Sequence, residues 1–271
     1  MDIPFDLLHI VASFHTKPRM KLLDWIPEDK LHWKYLLENP NALHMLEIVL
    51  QHNPEKIDWY NLSKNPNALH MLELVLQHDP EKINWNYLSG NPNALHMLEA
   101  NPEKINWEWL SENPNALHML EKNPEKINWF GLSSNPNALH MLESNPNKIN
   151  WMWLSRNPNA IHMLEANPEK ISWKNLSENP NALHILEANP EKIDWVWLSE
   201  NPNAIHLLEA NPNRIDWYNL SRNPNALHML EANPEKISWL GLSSNPSIFE
   251  IDTKQTQIYL RKKAKSIDDY L

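Results

Sequence analysis

Residues 113–134 read Asn-Pro-Asn-Ala-Leu-His-Met-Leu-Glu-Lys-Asn-Pro-Glu-Lys-Ile-Asn-Trp-Phe-Gly-Leu-Ser-Ser, and variants of this stretch fill most of the chain. Its Trp recurs ten times, first at spacings of 26 residues and then at spacings of 22. Self-similarity at such a period predicts a stacked array of similar units instead of a globule around one core. The recurring residues are Trp33, Trp59, Trp85, Trp107, Trp129, Trp151, Trp173, Trp195, Trp217 and Trp239.

Most units hold two Asn-Pro pairs, and each pair predicts the start of a helical segment. Asn is a preferred N-cap, and Pro is favoured at the first helical position. In the quoted unit we expect Asn113 to cap a helix that runs from Pro114 to about Lys122. After the second pair we expect a short helical turn, a new cap at Asn128 and a second short helix over about 129–134. The repeated Trp and Leu residues are expected to form the buried core between units.

These features predict an all-α fold, a solenoid of short helix pairs in repeats of 22–26 residues. Helix formers fill each unit, and no alternating Val/Ile segment is present. Two units carry four extra residues, Ile48–Gln51 and Leu74–Gln77, close to one helical turn. Such inserts lengthen a helix with little rotation of its apolar face. The alternative is a leucine-rich-repeat-like β/α coil, because Leu-Ser-x-Asn-Pro-Asn-Ala-Leu loosely matches that pattern.

The repeat pattern divides the chain into three segments. One unit cannot cover its own apolar surface, so an elongated stack needs caps at its ends. We expect an N-terminal helical cap at 1–32, the solenoid at 33–247 and a C-terminal capping helix at 248–271. The last segment places apolar residues among many charges, as an amphipathic helix does.

Composition excludes several classes of function. The chain has 271 residues, a net charge of −10, 3 Gly and no Cys. The acidic balance argues against nucleic-acid binding, which needs a basic surface. Scarce Gly argues against a phosphate-binding loop, and the lack of Cys excludes thiolate metal sites. No apolar run suits a membrane helix and no secretion signal is recognisable, so we expect a soluble intracellular protein without membrane contact or cofactor.

Two repeated polar features look like chemistry but have simpler interpretations. The Glu-Lys pair of the second half recurs in most units, whereas an active site needs one unique constellation, so we do not expect an enzyme. One His per unit could suggest a row of metal ligands. Packed helices are about 8–10 Å apart, too far for successive His to share one ion. We expect each His to bond a neighbouring Asn, Glu or backbone carbonyl, while pH sensing remains an alternative.

The two positions after each repeated Trp vary between units, although the rest of the unit is nearly constant. They remain rich in aromatic residues, which are over-represented in protein interfaces. These positions predict a protein-binding surface, and padding of a secondary groove between layers is the alternative. The variable position before each first Asn-Pro is expected to be a solvated rim. The predicted protein-binding residues are Tyr35, Tyr60, Tyr87, Trp109, Phe130, Trp153, Trp197 and Tyr218.

The alternating Asn-Pro-Asn-Ala and Asn-Pro-Glu-Lys-Ile-x-Trp boxes over about 33–247 resemble tandem-repeat proteins of giant DNA viruses, especially marseillevirus-like ones. This resemblance implies a viral protein made in the host cytoplasm, with the virion or viral factory as further locations. It implies no biochemical activity. Together with the aromatic positions, it leads us to expect a non-enzymatic scaffold that binds a host or viral protein. A structural virion or assembly component is an alternative.

The stretch Ile3–Val11 resembles the start of an F-box, Leu-Pro-x-Asp/Glu-Leu-Leu-x-x-Ile, although the residues before the first unit are too few for a complete one. A degenerate F-box within 1–32 would make the chain a substrate adaptor for ubiquitin ligation, with a cullin-ligase linker protein as partner. A plain helical cap is the other interpretation.

Overall fold

The computed structural model describes residues 19–258, so the F-box-like stretch Ile3–Val11 and most of the expected C-terminal capping helix lie outside the described residues. Within this range the chain forms a series of short helices and one two-stranded sheet. The prediction of an all-α solenoid of repeated helix pairs is confirmed. The leucine-rich-repeat-like alternative is wrong, because each unit consists of helical segments.

The α-helices alternate between two kinds, one beginning at the repeated Trp and the other at the Leu or Ile before His. In chain order they are α1 Trp33–Leu36, α2 Leu43–His52, α3 Trp59–Leu62, α4 Leu69–His78, α5 Trp85–Gly90, α6 Leu95–Ala100, α7 Trp107–Glu112, α8 Leu117–Glu121, α9 Trp129–Ser134, α10 Leu139–Glu143, α11 Trp151–Leu154, α12 Ile161–Glu165, α13 Trp173–Glu178, α14 Leu183–Glu187, α15 Trp195–Leu198, α16 Ile205–Ala210, α17 Trp217–Arg222, α18 Leu227–Glu231 and α19 Trp239–Ser244.

A single 3-10 turn precedes each Trp helix. These turns are Glu28–Lys30, Pro54–Lys56, Pro80–Lys82, Pro102–Lys104, Pro124–Lys126, Pro146–Lys148, Pro168–Lys170, Pro190–Lys192, Pro212–Arg214 and Pro234–Lys236, and one more follows at Pro246–Ile248. The strands are β1 Met20–Leu22 and β2 Phe249–Ile251. The extra residues of the two longer units lie in α2 and α4, which confirms that these inserts lengthen helices.

The second half of the unit folds as its sequence predicts. A short turn at Pro124–Lys126 is followed by Asn128, whose Oδ1 accepts a hydrogen bond from the backbone N–H of Gly131 at 3.0 Å. This is the bond expected of an N-cap residue. The helix then spans Trp129–Ser134, as predicted.

The first half begins differently from the prediction, because its Asn bonds a neighbouring unit. Asn113 donates from Nδ2 to the carbonyls of Ser89 and Asn91, at 3.0 and 2.9 Å. Its Oδ1 accepts from the backbone N–H of Asn115, which produces a turn. The helix therefore begins at Leu117, three residues later than the predicted start at the Pro.

The last unit contacts the first through the same links that join internal neighbours. Asn39 donates from Nδ2 to the carbonyls of Ser243 and Asn245, at 3.1 and 2.9 Å. The Lys30 ammonium lies 5.0 Å from the centre of the Trp239 ring, an arrangement repeated between other neighbouring units. Helix α1 also packs beside α19. The expected elongated stack is therefore wrong, and the ten units close into a ring.

The two ends of the described chain meet in the sheet. Strand β1 pairs with β2 in antiparallel register, with Lys21 opposite Glu250, and the ammonium and carboxylate of these residues are 2.9 Å apart. β1 also contacts α2. The described parts of the expected caps, 19–32 and 248–258, thus join each other instead of covering opposite ends.

The Trp helices lie on the inner side of the ring. Successive Trp helices such as α5, α7 and α9 pack closely, whereas the helices between them approach their own neighbours less closely. In a closed ring, the elements that lie closest to their own copies occupy the smaller radius. We therefore call the odd-numbered helices inner and the even-numbered helices outer.

The buried core is a continuous band between inner and outer helices. In the quoted unit, Ala116, Leu120 and Leu132 are fully buried, and their equivalents are buried in the other units. The repeated Trp residues were expected to be core, and this holds fully only for Trp59, which is 8% exposed. The others are partly buried, with one face packed on the core. The leucines and alanines, rather than the indoles, form the dry centre.

Candidate protein-binding surface on the inner wall

The inner helices present one face to the core and the opposite face to the axis of the ring. We number the six residues from each repeated Trp as positions one to six. Position four is fully buried in every unit, as Leu110 is, and position five is buried beside it, as Ser111 is. Positions two, three and six lie on the opposite side of the helix. We call these positions the inner wall, because the core and the outer helices lie behind them.

The eight predicted binding residues all lie on this wall, but their exposure depends on their position. Those at position two, together with Trp109 at position three, have between 37% and 59% of their surface exposed. The remaining residues, all at position three, are half-buried because that position lies between neighbouring inner helices. The exposed group is Tyr60, Trp109, Phe130 and Tyr218, and the half-buried group is Tyr35, Tyr87, Trp153 and Trp197.

Three of the predicted residues form one continuous aromatic run. The rings of Tyr60 and Tyr87 meet edge to face, with centroids 4.9 Å apart, and the rings of Tyr87 and Trp109 meet in the same way at 5.4 Å. The other predicted residues are not joined by ring contacts to one another. Trp197 instead contacts a cation, the Lys174 ammonium of the preceding unit, 5.4 Å from its ring centre.

Sequence reasoning missed two apolar residues of the wall. Met152 and Val196 stand at position two, and almost half of each side chain is exposed. Only aromatic residues were selected at the variable positions, although the repeat already placed these two in the same column as Tyr60 and Phe130. The signal was the position within the unit, not the residue type.

The small residues at position three allow close packing of inner helices. A Cβ atom built on Gly241 would lie 2.7 Å from the carbonyl oxygen of Tyr218, and one on Gly131 would lie 3.0 Å from that of Glu108. Both distances are shorter than normal contacts, so neighbouring helices meet there backbone to backbone. The wall thus combines large side chains with close helix contacts at these two glycines.

Position six was expected to be a solvated rim, and this expectation is wrong for the charged residues that pair there. The Lys64 ammonium is 2.9 Å from the Glu38 carboxylate, and similar distances of 2.8 and 2.9 Å join Arg156 to Glu178 and Arg222 to Glu200. Most of these side chains are half-buried. Burial raises the pKa of the Glu178 carboxyl, while the guanidinium of Arg156 acts to lower it.

The inner wall carries no net charge. Positions two, three and six of the ten units hold five acidic and five basic residues, so the chain's net charge of −10 comes from the rest of the protein. A neutral wall is a poor match for a polyanion, whose binding depends on a basic surface. The charged wall residues are Glu38, Glu108, Glu112, Glu178 and Glu200, against Lys34, Lys64, Arg156, Lys174 and Arg222.

The repeated His residues lie on the outer helices, away from the inner wall. From the second unit onward, each His places Nε2 within 2.6–3.2 Å of a Glu carboxylate in the preceding unit, as His162 does with Glu143. The predicted hydrogen bond to a neighbouring residue is therefore confirmed. Within residues 19–258 no three His, Asp or Glu side chains cluster in a way that could hold a metal ion. The same residues contain no helix with the length and apolarity needed to span a bilayer.

These features define the molecule as a closed ring of α-helical repeats with an aromatic inner wall. No protein-family model, curated protein or solved structure matches the chain.

Proposed function

We propose that the ring is a non-enzymatic scaffold that binds a protein partner, of host or viral origin, through its inner wall. The observation that supports this most is the set of exposed apolar side chains on helices whose backbones are fixed by neighbours on both sides. A folded protein has no structural need to expose Phe130, Met152, Val196 and Tyr218 along one wall. Such residues on a rigid surface are typical of binding sites.

The size of the ring suits a segment of a partner protein. Packed helices lie about 8–10 Å apart, so ten inner helices in a circle place opposite helix axes about 26–32 Å apart. After side chains are allowed for, the opening accepts one α-helix of about 10–12 Å diameter or an extended segment. The balanced charge of the wall favours an apolar protein segment over a nucleic acid.

Selection from a random-peptide library displayed on phage tests this function. We expect the wild-type ring to enrich peptides rich in apolar residues. A variant with Phe130→Ala, Trp153→Ala and Trp197→Ala should bind the enriched peptides at least tenfold more weakly. The matched control replaces three outer residues, with His140→Ala, His162→Ala and His184→Ala, and should bind like the wild type.

Circular dichroism of both triple variants verifies that the ring still folds. The proposal fails if no peptide is enriched on the wild-type ring. It fails equally if the inner-wall variant binds the enriched peptides as tightly as the wild type does.

A further inference from the structure

At position six, one glutamate lacks the ion pair that the other glutamates form. Three of the four glutamates at this position pair with a cation at position six of an adjacent unit, at 2.8–2.9 Å. Glu112 has no such partner, because the adjacent position-six residues are Gly90 and Ser134. Among the described residues it forms no ion pair or hydrogen bond through its side chain.

A depression of about 210 Å³ lies between Glu112 and Gly90, the position-six residue of the preceding unit. Trp109, Tyr87 and Gly90 contribute to its wall together with Glu112. The space stays open because Gly90 has no side chain. A Cβ atom at this position would lie 3.3 Å from the Trp109 ring. The site therefore combines a carboxylate, two aromatic rings and an unfilled volume.

The charges around this depression favour a cation. Lys64 borders it, but its ammonium is paired with Glu38 at 2.9 Å and lies over the Tyr87 ring at 4.2 Å. Burial raises the pKa of the Glu112 carboxyl; Arg156 acts to lower it, and nearby Glu108 raises it further. An unpaired carboxylate held in such surroundings gains from any cation that enters.

We infer that this depression binds a cationic side chain, an arginine or a lysine, of the protein segment that the ring accepts. The carboxylate of Glu112 would pair with the cation, and the Trp109 ring would contact it through its face, as aromatic rings contact cations elsewhere. This inference rests on the proposed function and narrows it, since the partner would be apolar apart from one basic residue placed opposite the fourth unit.

Small probes test the site without the partner. The ring, with its Trp indoles labelled with ¹⁵N, is titrated with N-acetyl-arginine amide, N-acetyl-lysine amide and, as the neutral isostere, N-acetyl-citrulline amide. The Trp109 indole signal is assigned from its loss in Trp109→Phe. We expect a saturable shift of this signal with the arginine or the lysine probe and none with the citrulline probe. The probe that binds more tightly identifies the preferred cation.

Two variants and one control make the test specific. Ser134→Arg supplies an internal partner for Glu112, in the way Arg222 pairs with Glu200 one unit earlier. We expect this variant and Glu112→Gln to weaken binding of the cationic probes at least tenfold. Ser244→Arg adds the same charge at the same position on the opposite side of the ring and should leave binding unchanged.

The inference is overturned if neither cationic probe gives a saturable shift, or if the citrulline probe binds as well. It is also overturned if folded Ser134→Arg binds like the wild type, or if Ser244→Arg weakens binding to the same degree. Because these probes need no partner, their binding is independent of the library selection. A ring that binds these probes but enriches no peptides would refute the proposed function, whereas the cation-binding depression itself would stand.

Discussion

The side-chain amide of Asn39 donates to the backbone carbonyl of Asn245 at 2.9 Å, across 206 positions of the sequence. Asn157 makes the same bond to Asn135, across 22 positions and also at 2.9 Å. The joint between the first and last units is therefore built like a joint inside the array. An open solenoid exposes an apolar face at each end, and both faces must be capped. In the closed ring, the face of the first unit packs against the face of the last unit.

The first Asn of each Asn-Pro-Asn-Ala box should contribute strongly to the stability of the ring. Asn157→Ala removes the donor to the carbonyls of Ser133 and Asn135 and the acceptor for the N–H of Asn159. We expect a loss of about 3 kcal/mol in unfolding free energy, because buried polar groups lose their partners. Asn159→Ala is the control, because its exposed amide bonds only the carbonyl of Pro136 and should cost about 1 kcal/mol. Urea denaturation measures both, and equal costs would contradict the prediction.

Closure can be tested with a disulfide across the sheet. Met20 faces Ile251 in the register of β1 and β2, and the chain has no Cys of its own. Met20→Cys with Ile251→Cys should form an intramolecular disulfide on oxidation, seen as faster migration in a non-reducing gel. Closing so long a loop should stabilise the ring by about 5 kcal/mol. Met20→Cys with Phe130→Cys, on distant units, is the control pair. If the first pair yields only intermolecular dimers, the ring is open in solution.

The His–Glu pairs of the outer helices should contribute little individually. His162 and Glu143 are both more than half exposed, and exposed ion pairs contribute about 0–1 kcal/mol. We expect His162→Ala to change the unfolding free energy by less than about 1 kcal/mol. A double-mutant cycle with Glu143→Ala measures the coupling between them. A coupling energy above about 2 kcal/mol would show that these pairs hold the units together.

Close packing of the inner helices makes two glycines respond differently to the same substitution. In Gly241→Ala the new methyl group would meet the backbone carbonyl of Tyr218 at 2.7 Å, and we expect a loss of about 2 kcal/mol. In Gly90→Ala the nearest atom, at 3.3 Å, belongs to the movable Trp109 ring, and Ala favours the helix by about 1 kcal/mol. Gly90→Ala should therefore lie within about 1 kcal/mol of the wild type. Thermal denaturation compares the two variants. A larger loss of stability in Gly90→Ala than in Gly241→Ala would contradict the packing described.

Glu112 should reduce stability when it is ionised. Burial raises the pKa of its carboxyl in the folded ring above the unfolded value of 4.5. Ionisation of Glu112 therefore lowers the unfolding free energy by its full amount above the folded-state pKa. This loss disappears as the pH falls below the unfolded-state pKa. Glu112→Gln should raise the melting temperature at pH 7 by on the order of 1 °C, with a smaller gain at pH 4. Glu103→Gln, at an exposed carboxylate, is the control. A gain that grows on acidification would contradict the sign of the shift.

Much of the unit was predictable because its signals are local. A cap at Asn128 and a helix from Trp129 follow from neighbouring residues, and both were confirmed. The start of the outer helix was predicted too early, since the side chain of Asn113 bonds a unit that is adjacent in space but 22 residues away. The placement of the variable aromatic residues outside the core could be predicted, but the ion pairs of position six could not. Those pairs depend on which residues face each other across an interface.

The sequence by itself determined the repeat, the helix pair in each unit and the leucines of the core. Only the tertiary structure decided that the array closes, that the Trp helices lie inside and that the chain ends pair as strands. The reason is that closure depends on the small rotation from one unit to the next, about 36° for ten units in one turn. That rotation is set by side-chain contacts between units and accumulates over all ten interfaces, so no single motif encodes it.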